Sequence, residues 1–563
     1  MKFISLNVDP TKDMVMSLVG NNSVVAARAS VSGLGAEDPS TVTFTIDEDF
    51  PTSFEEWTDA DNNVFVKIPT MYRTIDNVTD GQITAFTIST APLNSRSQPY
   101  SVFVTPDGYV LPYVCIGKYL ASDDTKLNSV DATSINISPA TARTAAQANG
   151  DGYQLYDWQF HKLFIDLGLV ISQKVNFQDG TAAIDSYIGI EGLTKFIFVD
   201  GISGGHHLPW LICYDPSKYI DDPTASSVGY TECLSTDDNS SSSEISKLGY
   251  DAENPFANLP VATVVNSDDN TYYCDIIQTQ NNYNTFQSSV GYKNKGAGWF
   301  NVRINAHFLT TLSQRLCCRP LAPTELHFTL TSNLTQPLYL TQSASKAVTV
   351  DWGDGTTPDN PSDLAASLSH TYTKAGDYTV KIACKSGETW TTGLTSGNDH
   401  YGLIGKYTTK SDTYPTLTSA VLRYGAVLGD YAFTQCSGLT NVQLPKTGST
   451  IPQYTFNTCN ALTELYIPGN ITTLAERAVY SCLSLSSLIF AKDLTELSGI
   501  ANGIVLSAIG TLTSLNPVPP SCPGIDDYWA DISAIYVPAD SVEAYKAANG
   551  WSGWSPWIQA IPA

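Results

Sequence analysis

Two groups of side chains have the residue types for catalysis, and neither has the setting that the chemistry needs. His206 and His207 are adjacent, and neighbours on a strand point to opposite faces, so the pair is not expected to share a metal. Just before them, Gly201-Ile-Ser-Gly-Gly205 has the form of a nucleophile elbow. That device needs a helix straight after the serine, and Pro209 opposes one, so Ser203 reads as part of a glycine-rich turn. Asp59, Asp61 and Asn63 resemble the start of a calcium loop, but the glycine at the sixth position and the glutamate at the twelfth are absent. No His-Glu-x-x-His and no phosphate-binding loop occurs. The expectation is a protein that is not an enzyme and uses no cofactor and no metal.

The residues suited to contact chemistry are aromatic and amide. Tyr272, Tyr273, Tyr283, Tyr292 and Trp299 stand near Asn281, Asn282 and Asn284. Tyr supplies rigid area and Asn adaptable hydrogen bonds, a combination suited to ligand contact. Asn282, Tyr283, Asn284, Tyr292, Lys293 and Trp299 are the candidate ligand-binding residues, with Val302, Ile304, Phe308, Leu312 and Leu316 as apolar scaffold. Lys293 and Lys295 stand out in a chain with 30 basic residues, and an acidic glycan would meet favourable charge there. An ordinary solvated loop is the alternative for this run, and a surface around Glu464 and Tyr466 is the competing site.

Composition sets limits on partners. The 55 acidic and 30 basic residues of this 563-residue chain leave a net charge of −25. Nothing here neutralises a run of phosphates or docks on anionic lipid, so neither nucleic acid nor membrane is an expected partner. No apolar run approaches the roughly 18–20 residues of a membrane span. Asp9, Lys12 and Asp13 come too early for a signal-peptide core, so the usual secretion route is not expected. The 11 cysteines are accordingly expected as reduced, buried thiols.

These residues need elements to hold them. Residues 3–8, 14–19 and 23–31 read as strands, the last two flanking a Gly20-Asn21-Asn22 hairpin turn. They form either a docking element or the start of the next domain. Residues 140–149 and 156–168 read as helices, the second with Trp158, Phe160, Leu163, Phe164 and Leu167 on its apolar face. The last 180 or so residues repeat. Phe433, Phe456 and Val479 recur every 23 residues, as do Cys436, Cys459, Cys482 and Leu439, Leu462, Leu485. Each unit ends in Leu-x-x-Leu-x-Leu, as in Leu462/Leu465/Ile467, with weaker copies at Leu417/Ala420/Leu422, Leu512/Leu515 and Ile532/Ile535/Val537. That is a leucine-rich solenoid, in which stacked coils bury what one coil cannot. The cysteines suit a stacked ladder, being small, apolar and able to offer a weak S–H donor. Asp540 and Glu543 have capping-box spacing, Asn549-Gly550 ends the helix, and Trp551, Trp554 and Trp557 are expected to seal the solenoid.

Three family resemblances follow from motifs. Asn63-Val-Phe-Val-Lys-Ile-Pro-Thr-Met-Tyr72 precedes Gly108-Tyr-Val-Leu-Pro-Tyr-Val-Cys-Ile-Gly-Lys-Tyr119. Ala140-Thr-Ala-Arg143, Gly152-Tyr-Gln-Leu-Tyr-Asp157, Gly189-Ile-Glu-Gly192, Val199-Asp-Gly201 and Arg315-Leu-Cys-Cys-Arg319 follow in order. The series resembles the C-type-lectin-like domains of bacteriophage virion proteins, which share their fold with formylglycine-generating enzymes. The segment 291–319 lacks the Asn-rich ladder often seen in such domains. Those enzymes use a reactive cysteine pair; Cys317 and Cys318 are adjacent on a strand and face opposite ways, which argues against that chemistry. Val348-Thr-Val-Asp-Trp-Gly-Asp-Gly355 with Ser369-His-Thr-Tyr-Thr-Lys-Ala-Gly-Asp-Tyr-Thr-Val-Lys-Ile382 resembles the PKD family, an immunoglobulin-like sandwich. That resemblance puts Trp352 and Tyr378 in the core and has Asp351 and Asp354 organise a loop. The repeats, with Ala-Phe-x-x-Cys-x-x-Leu, resemble BspA-like leucine-rich repeats of surface proteins.

The expected fold is therefore multidomain and β-rich: 1–44 an N-terminal β element, 45–322 a C-type-lectin-like α+β domain, 323–388 a PKD sandwich, and 389–563 a leucine-rich solenoid with its cap. Display-type modules without an export signal fit a phage structural protein, folded in the host cytoplasm and displayed on the virion. Its expected role is that of an adhesin, in a tail fibre or similar position, binding a host surface glycan or protein non-covalently. The N-terminal region would meet other virion proteins, and a homo-oligomer, as in trimeric fibres, is a further expected partner. The alternatives are a head-decoration or baseplate protein that binds mucus or other surfaces, and a bacterial surface adhesin.

Overall fold

The computed structural model describes residues 26–31, 42–79, 82–105, 108–172, 186–192 and 313–562, save 397–398, 408–412, 498–508 and 523–531, together with short strands between 197 and 304. It is β-rich, with several sheets and few helices. The chain divides into two compact units, one of residues 1–149 and 153–319, the other of 150–152 and 320–563.

In the first unit a five-stranded antiparallel sheet sets Tyr113–Gly117 between Val64–Pro69 and Leu316–Cys318, with Glu55–Thr58 and Tyr153–Leu155 at its edges. The helix Pro139–Gln147 packs beside it, and Ala142, Ala145 and Ala146 join Phe65, Leu155 and Leu316 in one buried cluster. Ser138 caps this helix through the Thr141 N–H, with proline at the first helical position, where its missing N–H costs nothing. The second helix is Trp158–Ser172, and Phe160, Leu163, Phe164 and Leu167 are buried on the apolar face. Asp157 starts it, its Oδ1 accepting from the backbone N–H groups of Gln159 and Phe160.

In the second unit one hydrophobic core runs from Leu326 to Ile558. It begins as two facing sheets. Val348–Asp351, Gly376–Cys384 and Thr324–Leu330 form one, and Ala365–Thr371, Thr335–Gln342 and Trp390–Thr392 the other. Alternating burial along Thr324–Leu330 and Thr335–Gln342 marks the faces that meet. Trp352 is buried and donates its indole N–H to Asp359 at 2.8 Å. The fully buried tyrosine is Tyr372, whose hydroxyl donates to Trp352 O at 2.9 Å; Tyr378 lies at the end of its strand and packs half-buried against Tyr372. Asp351 and Asp354 order the loop by accepting from the N–H groups of Gly353 and Thr356. Gly353 has φ 75°, and a Cβ there would lie 2.3 Å from Thr379 O, so the turn requires glycine.

The repeats grow directly out of these sheets. Leu417–Val421 adds antiparallel to Thr324–Leu330 and then pairs in parallel with Asn441–Gln443. Ala426–Val427 adds in parallel to Trp390–Thr392. The strands Glu464–Ile467, Ser487–Phe490, Thr511–Ser514, Ala534–Val537 and Ile558–Ala560 form a further, separate parallel sheet over the same core. Leu439, Leu462 and Leu485 are fully buried, as are Leu465, Leu488, Ile467 and Phe490, which is the repeat register read from the sequence. One weak copy is corrected. Leu512 pairs with Leu488 and Ser514 with Phe490, so Leu515 is 40% exposed and Ile509 takes the first inward position.

The cap also differs in detail. A 3₁₀ turn, Ala539–Ser541, precedes the short helix Val542–Ala547, and no side chain caps that helix, so the expected box does not form. Tyr545 closes the end instead. Its hydroxyl shares a 2.7 Å hydrogen bond with buried Ser514 and donates to Asn516 O, while Trp551 is buried against its ring and donates to Pro520 O. No helix of the described residues is long and apolar enough to cross a membrane.

Candidate functional site

Of the ligand-binding residues expected from the sequence, Asn282, Tyr283, Asn284, Lys293 and Trp299 lie outside the described residues. Tyr292 falls in a two-residue strand whose backbone pairs antiparallel with Gly296–Ala297. Ser203, His206 and His207 are likewise outside the described residues.

The described motifs of the first unit have structural work. Asp59 orders its turn: its Oδ1 accepts from the N–H groups of Asp61 and Asn63, and its Oδ2 from Asn63 Nδ2 and the Tyr153 hydroxyl at 2.8 Å. Burial and then this carboxylate raise the Tyr153 pKa. Arg315 is buried and donates to the carbonyls of Gly117, Lys118 and Glu191, and desolvation lowers its pKa to about 10. Arg319 donates to Asp157 and Gln159 at the start of the second helix. Cys318 faces Cys115 across the strand pair, whereas Cys317 is opposite Ile116. Burial raises the Cys317 pKa, and the hydrogen bond with Cys115 followed by burial raises that of Cys318, so both are neutral thiols at pH 7. Among the described residues no group of three or more His, Cys, Asp or Glu could hold a metal.

Two ordered features stand on the repeats. The first is the outer face of the parallel sheet, where alternation turns every second residue outward. One row is Tyr466, Ile489, Thr513, Tyr536 and Gln559, in direct register. Its neighbour is Glu464, Ser487 and Thr511. Glu464 is exposed and Tyr466 is 49% exposed, as the sequence suggested. Adjacent members sit one strand spacing apart, about 4.8 Å, so the face is a continuous mixed surface of aromatic, hydroxyl and amide groups.

The second feature is a packed aromatic column on the bends, with Tyr431 buried in it, and the repeat pattern did not reveal it. Tyr431 and Tyr454 stack with ring centroids 5.0 Å apart and planes 3° from parallel. His400 stacks on Tyr431 at 4.6 Å, and Tyr407 lies across both tyrosines at 4.7 and 5.9 Å. Arg477 continues the column, its guanidinium 5.6 Å from the Tyr454 ring and 5.8 Å from that of Tyr480, with Nη1 donating to the Tyr454 hydroxyl. That hydrogen bond raises the Arg477 pKa, while burial raises those of Tyr407 and Tyr431. The signal in the sequence was the spacing of 431, 454 and 477, the same 23 residues as the leucines.

The coils are tied together by side chains as well as strands. Thr440, Ser486 and Ser533 donate their hydroxyls to Thr418 O, Thr463 O and Gly510 O of the preceding coil. Cys459 and Cys482 do the same inside, to Phe433 O and Phe456 O.

No curated protein matches the chain. Residues 424–501 match the BspA type leucine rich repeat region in six copies. With the parallel strands, the buried leucine ladder and the 23-residue period, this segment is a BspA type leucine-rich repeat region.

Proposed function

We propose that this protein is a virion adhesin that attaches a phage to its host by non-covalent recognition of a cell-surface glycan or protein. The observation that carries the reading is the patterned outer face of the repeats, with Tyr466 and Glu464 exposed over a rigid ladder of buried leucines. Such a surface orders side chains before binding, so less entropy is lost on contact. The C-type-lectin-like assignment of 45–322 and the PKD assignment of 323–388 belong to the same reading, as do display on the particle exterior and attachment to other virion proteins through the N-terminal region. No catalytic step is part of it.

The test is mass spectrometry of purified virions together with a cell-binding assay. Stoichiometric amounts in particles and binding by the purified full chain are the expected results. Recovery from bacterial envelopes and absence from particles would overturn the virion assignment. A full chain that binds no host cell would overturn the adhesive one.

A further inference from the structure

Ala365–Thr371 is the outer strand of its sheet, and among the described residues it pairs on one side only, with Thr335–Gln342. Tyr372 N donates to Leu334 O, and Gln342 N donates to Leu364 O. The even-numbered residues between these two bonds therefore exchange hydrogen bonds with the inner strand. Ala365, Ser367, Ser369 and Thr371 turn their N–H and C=O groups the other way, and all four residues are exposed. The strand is 7 residues long, holds no Lys, Arg, Asp, Glu or Pro, and keeps its register without a bulge. Proteins usually guard such an edge by charge, proline, a bulge, shortness or cover. Other edges of this chain show the guards. Val348–Asp351 is covered by Asp359, which exchanges hydrogen bonds of 2.8 and 2.9 Å with Val350. Glu55–Thr58 carries Glu55 and Glu56, and Ile558–Ala560 is 3 residues long and stops short of Pro562.

The bare edge fits its own copy. Turned antiparallel about Leu368, two such strands set Ala365 against the partner's Thr371 and Ser367 against the partner's Ser369. Both members of each pair present outward N–H and C=O groups, so each pair exchanges two hydrogen bonds. The side chains that meet are small and uncharged, and opposed hydroxyl residues are a favourable cross-strand pair. The ends agree in charge as well. Asp363 precedes the strand and Lys374 follows it, and both are exposed. An antiparallel copy brings each acidic end to a basic one, whereas a parallel stack would put like with like. A peptide of another sequence would have to supply both the uncharged register and the reversed ends, which a second copy already has. The net charge of −25 repels two copies at long range, but physiological salt screens that repulsion beyond about 8 Å.

We propose that the edge strand Ala365–Thr371 is a contact between two copies of this chain, joined antiparallel about Leu368 into one continuous sheet. Such a two-fold contact uses the same patch on both copies. A strand pair alone covers less than the roughly 1,000 Å² of a tight complex, so the association is expected at about 1–100 µM. The inference goes beyond the adhesive reading and does not rest on it.

The test is sedimentation velocity of the full chain at about 0.15 M salt, over about 1–200 µM. The expected result is an equilibrium between monomer and dimer. Ser367→Lys/Ser369→Lys and Ser367→Glu/Ser369→Glu each set like charges face to face across the two-fold axis, at exposed positions that leave the core alone. Each variant should keep the parent's melting temperature while its dissociation constant rises about tenfold or more. Mixed in equal amounts, the two should associate again, because every Lys then meets a Glu. Ser369→Pro removes an outward N–H and no inner one, so it serves as a second variant that weakens the dimer without adding charge. A parent chain that stays monomeric to about 200 µM would overturn the proposal. So would a folded variant of any of the three that dimerises like the parent, a Lys–Glu mixture that stays monomeric, or an oligomer that none of the substitutions affects.

Discussion

The thiol of Cys459 donates to the carbonyl of Phe433, one coil earlier, at 3.1 Å, and Cys482 repeats the bond to Phe456 at 2.9 Å. Both thiols are buried, and each adds a second donor to a carbonyl that already accepts a backbone N–H, Phe433 O from Cys436 and Phe456 O from Cys459. Cys459→Ala removes the donor and leaves a small cavity, and should destabilise the unit by about 1–3 kcal/mol. Thiol reagents should label these cysteines only as the coils unfold, which matched rates of labelling and unfolding would show.

Burial raises the Cys482 pKa to about 12, while the unfolded thiol titrates near its ordinary value of 9.0. The unfolded chain therefore loses its proton first. The stability this thiol contributes is complete below pH 9 and is lost as pH rises towards about 12. Melting temperature measured across that window should fall, and Cys482→Ala should flatten the slope.

Leu462 lies between Leu439 and Leu485 with no exposed surface. Leu462→Ala should cost roughly 2–5 kcal/mol. Thr440→Ala removes one exposed hydroxyl bond to Thr418 O and should cost about 0.5 kcal/mol. Equal effects in denaturant melts would mean that the inward and outward positions are misassigned.

Asp354 accepts from Thr356 and sits 2.7 Å from His370 Nε2. Desolvation pushes its pKa up, but these hydrogen bonds outweigh it and hold the carboxyl at about 2. A depressed carboxyl contributes stability above its unfolded pKa, and that contribution disappears as pH falls from about 4 to about 2. Asp354→Asn should lower the melting temperature at pH 7 and match the parent near pH 2.

Arg315 spreads its guanidinium over three carbonyls, and lysine cannot copy that fork. Arg315→Lys should destabilise the first unit by about 1.5–3 kcal/mol, the value of one charged hydrogen bond. Thermal melts of the full chain should show the loss in one transition and leave the repeat transition in place.

The repeats were legible because a buried ladder obeys one period, and Leu, Phe and Cys each kept it. Helix positions were legible from apolar spacing and from Ser138-Pro139. What escaped was set by non-local packing. Tyr378 has the right strand parity for the core and pairs with Phe328, but Tyr372, just past the neighbouring sheet's strand, takes the buried place and Tyr378 packs half-buried against it. Leu515 fits the leucine pattern, but pairing with Phe490 gives the inward position to Ser514, which Tyr545 completes from 31 residues away. The aromatic column carries no pattern of its own type, since it mixes His, Tyr and Arg, and only the shared 23-residue spacing betrays it.

The joint at Leu417–Val421, antiparallel to one neighbour and parallel to the next, has a mechanical consequence. Among the described residues the sandwich and the first coils share a sheet at this joint and one apolar core, so a pull on those coils reaches the sandwich through ladder hydrogen bonds and the common interior. Separating the first coils from the sandwich therefore requires several paired hydrogen bonds to break together with the packed interior, not one strand end to peel.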